Sequence, residues 1–287
     1  MIPEFNKLIL SRYIISRHIA SGGMADVYEA KDIVIDKLVA LKFLKEKSID
    51  NDLELEQFKN EARITSIFNH PHIMRIYNVG DYNYVPFVSY ELLKGKSLKD
   101  IVDNRGKLTF DEAIDYMLQI LDAVSYMHEK SVLHNDLKPD NIFVLRDGSI
   151  KICDFGIATH ISTREVEEVR GTVKYLASEV VQYRKYSIQS DIYSLGIILF
   201  ELLTGRTPYN KETINEILDE YINHPFPSLR KYLSLPNIDD LDYVIGKATN
   251  RIVTSRYKSA KEFMNDLNTI KKHGKLKRGI FNRIFKK

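Results

Sequence analysis

The stretch His134-Asn135-Asp136-Leu137-Lys138-Pro139-Asp140-Asn141 decides the reading of this chain, and Cys153-Asp154-Phe155-Gly156 follows it twelve residues later. The first stretch sets a carboxylate (Asp136), an amine (Lys138) and an amide (Asn141) on a proline-bearing loop. Between the two stretches, Ile142-Phe143-Val144 and then Ile150 and Ile152 flank Arg146-Asp147-Gly148-Ser149. Apolar runs around such a turn predict a short hairpin from Ile142 to Ile152. The hairpin folds the chain back, so that Asp154 comes to lie beside Asn141. An amide oxygen and a carboxylate suit Mg²⁺, which prefers a few oxygen ligands completed by phosphate oxygens. Asp136 is left as a base and Lys138 as a neutraliser of phosphate charge.

Upstream, residues 13–47 read as strands. Gly22 and Gly23 interrupt them, where glycine lets a backbone approach a phosphate closely and supplies positive φ. Val39-Ala40-Leu41-Lys42-Phe43-Leu44 alternates around one lysine. A lysine in an apolar strand is costly to bury unless it is paired, so a partner is expected in the next helix. That helix is predicted over Asn51–Asn69, with Phe58, Ala62, Ile64, Thr65 and Phe68 as its packing face. His70-Pro71 breaks it, and strands are predicted over Ile76–Val79 and Val85–Tyr90. From Phe110 to Lys130 the residues Ile114, Met117, Leu118, Leu121, Val124 and Met127 recur at three and four, with Asp111 and Glu112 in the first turn. The pattern stays helical to about residue 272, with Ile192–Leu203 as a buried central helix.

Eight ordered positions, H-x-D-L-K-P-x-N, followed by D-F-G at hairpin distance, resemble the catalytic core of the eukaryotic-type (Hanks-type) protein kinases. Other segments resemble the family in its own order. Ala20-Ser21-Gly22-Gly23 with Val27 resembles the Gly-rich loop, and Val39-Ala40-Leu41-Lys42 resembles the strand that carries the phosphate-binding lysine. Glu61 resembles the helix glutamate that pairs with that lysine. Tyr90 takes the gatekeeper position. The backbone of Glu91 and Leu93 is then expected to read the adenine edge, with Val27, Ala40 and Phe143 against its faces. Asp191 resembles the aspartate that holds the catalytic loop from below. Gly171-Thr172-Val173-Lys174-Tyr175-Leu176-Ala177-Ser178-Glu179 resembles the peptide-docking end of the activation segment, with Glu179 expected to pair with Arg256. Lys138 together with Thr172 is the family's mark of Ser/Thr specificity.

The chain departs from the family pattern at several positions. Ala20 and Ala25 stand at the first and third glycines, Tyr193 at a tryptophan, and Ser178 at a proline. Asn135 stands where regulated members carry the arginine that binds a phosphorylated activation loop. Activity is therefore expected not to require that phosphorylation, although Ser162, Thr163 and Thr172 offer hydroxyls there.

Composition is consistent with this reading. The chain has 287 residues, 44% hydrophobic and 28% charged, enough for one large core or two smaller ones. Its single cysteine, Cys153, excludes an internal disulfide and fits a reducing compartment. No signal peptide is read at the N-terminus, and the most apolar run, Leu195–Leu203, contains Glu201 and is too short to span a bilayer. Residues 271–287 carry eight of the 42 basic residues and no acid, leaving 34 basic against 39 acidic elsewhere. Nothing in that mildly acidic body suggests a nucleic-acid-binding face. In the tail, Ile280-Phe281 and Ile284-Phe285 lie four apart, which as a helix makes a basic amphipathic surface for an anionic membrane; a solvated tail is the alternative.

The resemblance covers about residues 10–270 and implies an α+β, two-lobed kinase-like fold. The kinase domain is expected over 1–272, with a β-rich N-lobe of about 10–92 (five strands and one helix) and a mainly helical C-lobe of about 95–272; 273–287 is the tail. The implied activity is Ser/Thr phosphorylation of proteins, itself included, with ATP and Mg²⁺, Mn²⁺ being a substitute ion. It resembles the catalytic domain of bacterial PASTA-type receptor kinases, without extracellular repeats. A cytoplasmic place is expected, at or near the inner membrane face, with transient dimers for autophosphorylation. The implied roles are Lys42 and Glu61 for the α- and β-phosphates, Asn141 and Asp154 for the metal, Asp136 as base and Lys138 at the γ-phosphoryl group. A nucleotide-binding pseudokinase scaffold is the rival reading. A small-molecule kinase is a weaker one, because it lacks the Gly171–Glu179 pattern.

Overall fold

The computed structural model of the chain describes residues 5–162, 169–209, 211 and 213–276. The strands are β1 (Leu8–Ile9), β2 (Tyr13–Ser21), β3 (Ala25–Asp32), β4 (Lys37–Leu44), β5 (Ile76–Tyr82), β6 (Val85–Glu91) and β7 (Gly95–Ser97). After them come β8 (Val132–Leu133), β9 (Ile142–Leu145), β10 (Ile150–Ile152) and β11 (Thr159–His160). The helices are α1 (Glu46–Ile49), α2 (Asp52–Ser66), α3 (Leu98–Arg105), α4 (Phe110–Glu129) and α5 (Ser178–Tyr183). They continue with α6 (Ile188–Thr204), α7 (Ile214–Asn223), α8 (Ile238–Ala248) and α9 (Ala260–His273). The chain forms two compact units: Met1–Ser97 with Asn141–Thr159, and Leu98–Asp140 with His160–Lys287.

The first unit is built on a six-stranded sheet in the order β1-β2-β3-β4-β6-β5, every described pairing antiparallel. The sequence predicted five of these strands; the sixth is the two-residue edge strand β1. Alternation along β4 sorts its side chains between two faces. Val39, Leu41 and Phe43 join Tyr13, Ile15, Tyr28 and Phe87 in one cluster. Leu44 joins Ala25, Val88 and Tyr90 on the other, where Phe58 and Ala62 of α2 cover them. Helix α2 starts where Asn51 Oδ1 accepts the Leu53 and Glu54 N–H groups, at 3.1 and 3.3 Å.

The hairpin β9–β10 forms over the predicted residues, with Ile142 opposite Ile152 and Val144 opposite Ile150. Its membership differs from the expected continuous division near residue 95. Strand β9 pairs with β7, Gly95 facing Leu145 and Ser97 facing Phe143, and Ile73 bridges Ile152. These bonds tie residues 141–159 to the first unit. A Cβ on Gly95 would stand 2.1 Å from the Val144 carbonyl oxygen, so only glycine lets β7 approach.

The second unit is organised around α6. Every residue from Ser190 to Thr204 is buried, as an apolar run of that length requires. Helices α4 and α8 pack on it, and α9 packs on α4. A Cβ on Gly196 would meet Thr249 Cγ2 at 2.6 Å and Ala248 Cβ at 3.0 Å, which explains a glycine inside this helix. Thr109 and Glu112 form a reciprocal cap at the start of α4. Helix α9 ends at Gly274 in the left-handed conformation, and the Leu276 N–H then donates to Asp240 Oδ2 at 3.0 Å. The apolar pairs of the basic tail lie outside the described residues. Among those described, no helix is long and apolar enough to cross a membrane.

Candidate active site

In the first unit, β4 and α2 bring Lys42 and Glu61 together. Lys42 Nζ donates to Glu61 Oε1 at 2.8 Å and to Oε2 at 2.6 Å. Glu61 is 1% exposed, so its charge needs this partner. Burial disfavours the Lys42 ammonium, but the charges of Glu61 and Asp154 and the bond to Glu61 outweigh it and hold the pKa above the usual lysine value. The Tyr90 hydroxyl donates to Glu61 Oε1 at 2.9 Å.

Strands β2 and β3 carry the Gly-rich turn. Ala20 faces Val27 and Ser21 faces Asp26 across the ladder. The Gly22 N–H closes the turn on the Ala25 carbonyl at 2.8 Å. Lys45 Nζ donates to the Gly22 carbonyl at 2.5 Å and lies 3.6 Å from Asp26 Oδ1, so the turn is held from β4's end. The expectation of positive φ at Gly22 and Gly23 is not met: neither is among the positive-φ glycines. The β2–β3 ladder leading to the turn carries one-residue offsets between Ile15 and Arg17 and between His18 and Ala20. A Cβ on Gly22 would meet the Ala25 carbonyl oxygen at an ordinary 3.5 Å and one on Gly23 nothing within 4 Å, so no contact within the protein requires glycine at either position.

Ala40 pairs with Tyr90, and Glu91 ends β6. Glu91 Oε2 accepts from Lys151 Nζ at 2.9 Å and from the Arg75 N–H at 3.2 Å, which fixes the start of the connecting segment. Among the described residues the Leu93 N–H has no hydrogen-bond partner. Phe143 lies on β9 in the same unit.

Asn141 and Asp154 close the base of the β9–β10 hairpin. The Asn141 carbonyl accepts the Cys153 N–H at 2.9 Å, and Asp154 follows directly. Asp154 has φ +63°, a left-handed backbone that aspartate tolerates. Its Oδ1 accepts only a long bond from the Gly156 N–H, 3.4 Å, and no described cationic side chain forms an ion pair with it. An exposed carboxylate of this kind suits a hard divalent cation that completes its shell with water and phosphate oxygens.

In the second unit, Asp136 sits at the centre of a small network. Its Oδ1 accepts the Thr172 N–H at 2.9 Å and the Thr172 hydroxyl at 3.0 Å. Its Oδ2 lies 2.8 Å from Lys138 Nζ, and Lys138 also reaches Thr172 Oγ1 at 2.8 Å. Gly171 makes this approach possible. It has φ +109°, and a Cβ there would press on the Asn135 carbonyl oxygen and Leu176 Cδ2, both at 3.0 Å.

Asp191 of α6 anchors the loop that carries Asp136. Its Oδ2 accepts the His134 N–H and its Oδ1 the Asn135 N–H, both at 3.0 Å. Asn135 has φ +67°, a conformation asparagine adopts more easily than most residues. Arg256 meets Glu179 through two parallel bonds, and Ser178 is the first residue of α5. Proline suits that first helical position but is not needed there, so serine leaves the helix start intact. Ser162 is exposed; Thr163 lies outside the described residues.

The sequence profile of the protein kinase domain matches residues 13–276. The chain belongs to this family. Its kinase domain is 36% identical over 267 residues to the serine/threonine-protein kinase PrkC of Bacillus subtilis, covering 92% of this chain and 41% of that protein. It is 34% identical over 272 residues to the probable serine/threonine-protein kinase PknB of Lactococcus lactis, covering 93% of this chain and 43% of that protein. PknL of Mycobacterium tuberculosis is 29% identical over 273 residues, covering 93% and 68% respectively. The chain thus spans about two fifths of the length of PrkC and PknB.

Several residues of the kinase domain escaped the sequence reading. His128 Nε2 lies 2.9 Å from Asp191 Oδ2; the only cue was a histidine in the last turn of α4. The Tyr175 hydroxyl donates to the buried Glu201 at 2.6 Å, and Ser194 donates to the Tyr175 carbonyl at 2.8 Å. The charged residue inside the most apolar run of the chain was the cue for Glu201. Burial pushes its pKa up, against the lowering effect of the Tyr175 bond. Tyr221 donates to the Leu176 carbonyl. Together these bonds fasten the end of the activation segment to α6 and α7.

Proposed function

We propose that this chain transfers the γ-phosphoryl group of ATP to serine and threonine hydroxyls of proteins, itself among them. The observation that carries the reading is the Asp136 network, in which one carboxylate accepts from a threonine hydroxyl at 3.0 Å with an ammonium 2.8 Å away. A substrate hydroxyl can take the place of Thr172 Oγ1 on such a carboxylate. As its oxygen bonds to phosphorus, the bond from phosphorus to the β–γ bridging oxygen breaks, ADP leaves, and Asp136 takes the hydroxyl proton. Lys138 neutralises charge on the transferring group. Lys42, held by Glu61, engages the α- and β-phosphates.

Asn141 and Asp154 would hold Mg²⁺, or Mn²⁺ in its place, which neutralises phosphate charge. Val27, Ala40 and Phe143 would cover the adenine, the backbone of Glu91 and Leu93 would read its edge, and Ala20, Ser21, Gly22 and Gly23 would line the phosphates. A hydroxyl acceptor in the activation segment, Ser162, Thr163 or Thr172, makes autophosphorylation in a transient dimer part of the proposal. We place the domain in the cytoplasm, with 273–287 touching anionic lipid; recovery of full-length and 1–272 protein in equal amounts from the supernatant of phosphatidylglycerol vesicles would remove that part.

The test is transfer from labelled ATP with Mg²⁺, wild type against Asp136→Asn, with phosphosites mapped by mass spectrometry. Label on Ser or Thr in the wild type alone is expected. No transfer by either protein while ATP still binds would instead establish a pseudokinase scaffold.

A further inference from the structure

Glu61 has a second donor that the lysine pairing does not account for. Its Oε1 accepts from both Lys42 Nζ, at 2.8 Å, and the Tyr90 hydroxyl, at 2.9 Å. Tyr90 is 3% exposed and Glu61 1%, so no solvent competes for either group. The sheet register makes the meeting possible. Ala40 faces Tyr90 and Lys42 faces Val88, so Lys42 and Tyr90 are diagonal neighbours on the sheet face that α2 covers.

The chemistry is one-directional. Burial, and then the negative charge of Glu61, push the Tyr90 pKa well above its ordinary value. The phenol therefore stays neutral and acts as the donor to Glu61 Oε1. A neutral donor to a buried carboxylate fixes the carboxylate's orientation without competing for the lysine's charge. Lys42 has to serve two anions, Glu61 and the nucleotide phosphates. A carboxylate also held by Tyr90 keeps its place while the lysine redistributes its hydrogen bonds. The apolar residues Phe58 and Ala62 hold α2 on the sheet, but they do not set the rotation of a carboxylate.

We propose that Tyr90 is a positioning residue for phosphoryl transfer: its hydroxyl fixes the Glu61 carboxylate, and through it the Lys42 ammonium, for the nucleotide phosphates. This rests on the kinase reading above. It also makes the lysine–glutamate pair self-supporting within the first unit, with every member supplied by β4, α2 and β6.

Tyr90→Phe tests it, because it removes the hydroxyl and keeps the ring. Loss of a hydrogen bond to a charged group predicts about a tenfold fall in kcat/KM for ATP. The KM for the peptide substrate stays unchanged, because the hydroxyl acts on the phosphate side. Tyr90→Met, which fills the slot without a donor, gives the same loss and guards against a folding failure of the first variant. In a Glu61→Ala background, Tyr90→Phe adds nothing further, as expected if the hydroxyl acts only through Glu61. A merely structural tyrosine would lower the melting temperature and leave the kinetics of the folded enzyme alone. Unchanged kinetics in Tyr90→Phe with crippled Glu61→Ala overturns the inference while keeping the kinase reading, and so does full additivity of the two substitutions. Unchanged transfer in both Glu61→Ala and Lys42→Met overturns the kinase reading instead.

Discussion

Arg256 and Glu179 lie 77 positions apart and meet in two parallel hydrogen bonds, Nη1 to Oε1 at 2.6 Å and Nη2 to Oε2 at 2.8 Å. The Arg256 side chain is fully buried. Its remaining donors reach the Asn250 carbonyl at 2.6 Å and the Gln189 carbonyl at 2.9 Å, and its guanidinium lies 4.9 Å from the centre of the Tyr193 ring. Removing one partner strands the other charge in the interior. Arg256→Ala is expected to lower unfolding free energy by about 3–5 kcal/mol in urea titrations. Arg256→Lys should recover only part of that, because an ammonium cannot reproduce the fork. A loss below about 1 kcal/mol for Arg256→Ala would mark the pair as dispensable.

Gly171→Ala is expected to impair catalysis more than stability. The backbone at φ +109° suits glycine alone, and the added methyl crowds the Asn135 carbonyl. A strain of about 1–3 kcal/mol is relieved most simply by moving residue 171 away from the loop, which pulls Thr172 off Asp136. Steady-state kinetics beside thermal melts distinguish the two effects. Normal kcat with a lowered melting temperature would show that the contact matters only for folding.

Asp136→Ala should cost about 10²–10⁴-fold in kcat, the range of a positioned acid–base group. ATP affinity, measured by calorimetry, should hold within about twofold, because binding and proton transfer draw on different residues. A drop in affinity parallel to kcat would assign Asp136 a binding role.

Activity should persist after complete dephosphorylation. Asn135 supplies no cation for a phosphorylated activation loop, so phosphate there has little to order at that position. Phosphatase-treated protein, confirmed by intact mass, should phosphorylate an exogenous substrate from the first turnover. A lag that ends only when the loop is rephosphorylated would contradict this.

Glu112 gives a pH signature. The Arg105 fork, then the Thr109 amide, holds its carboxyl down at about 2, below the ordinary 4.5. A depressed carboxylate contributes stability that is complete above the unfolded value and disappears as pH falls through the folded one. Wild type and Glu112→Gln should therefore differ in melting temperature by a constant amount above about pH 5, and converge as pH drops toward about 2. A gap that widened on acidification would reverse the assignment. The side chains are half-open to solvent, so the effect is modest.

Much of the fold was legible because its signals are local. The β9–β10 hairpin follows from apolar runs around Asp147-Gly148, and α4 from apolar spacing with Asp111 and Glu112 in its first turn. The buried α6 was read from Ile192–Leu203 alone. The pairs Lys42–Glu61 and Glu179–Arg256 were legible in another way. A buried charge requires a partner, and family order named which one. The positive φ expected at Gly22 and Gly23 failed because glycine permits that conformation without enforcing it.

The sequence by itself determined the element order, the chemical types at the site and the need to pair Lys42 and Arg256, since composition, periodicity and the cost of burying charge act along the chain. Only the tertiary structure decided which further side chains hold these groups. Tyr90 on Glu61, His128 on Asp191 and Lys45 on the Gly22 carbonyl are separated by 29, 63 and 23 positions. Hydrogen-bond geometry at such separations depends on strand register and helix rotation to within a fraction of an ångström, and no one-dimensional pattern carries that information.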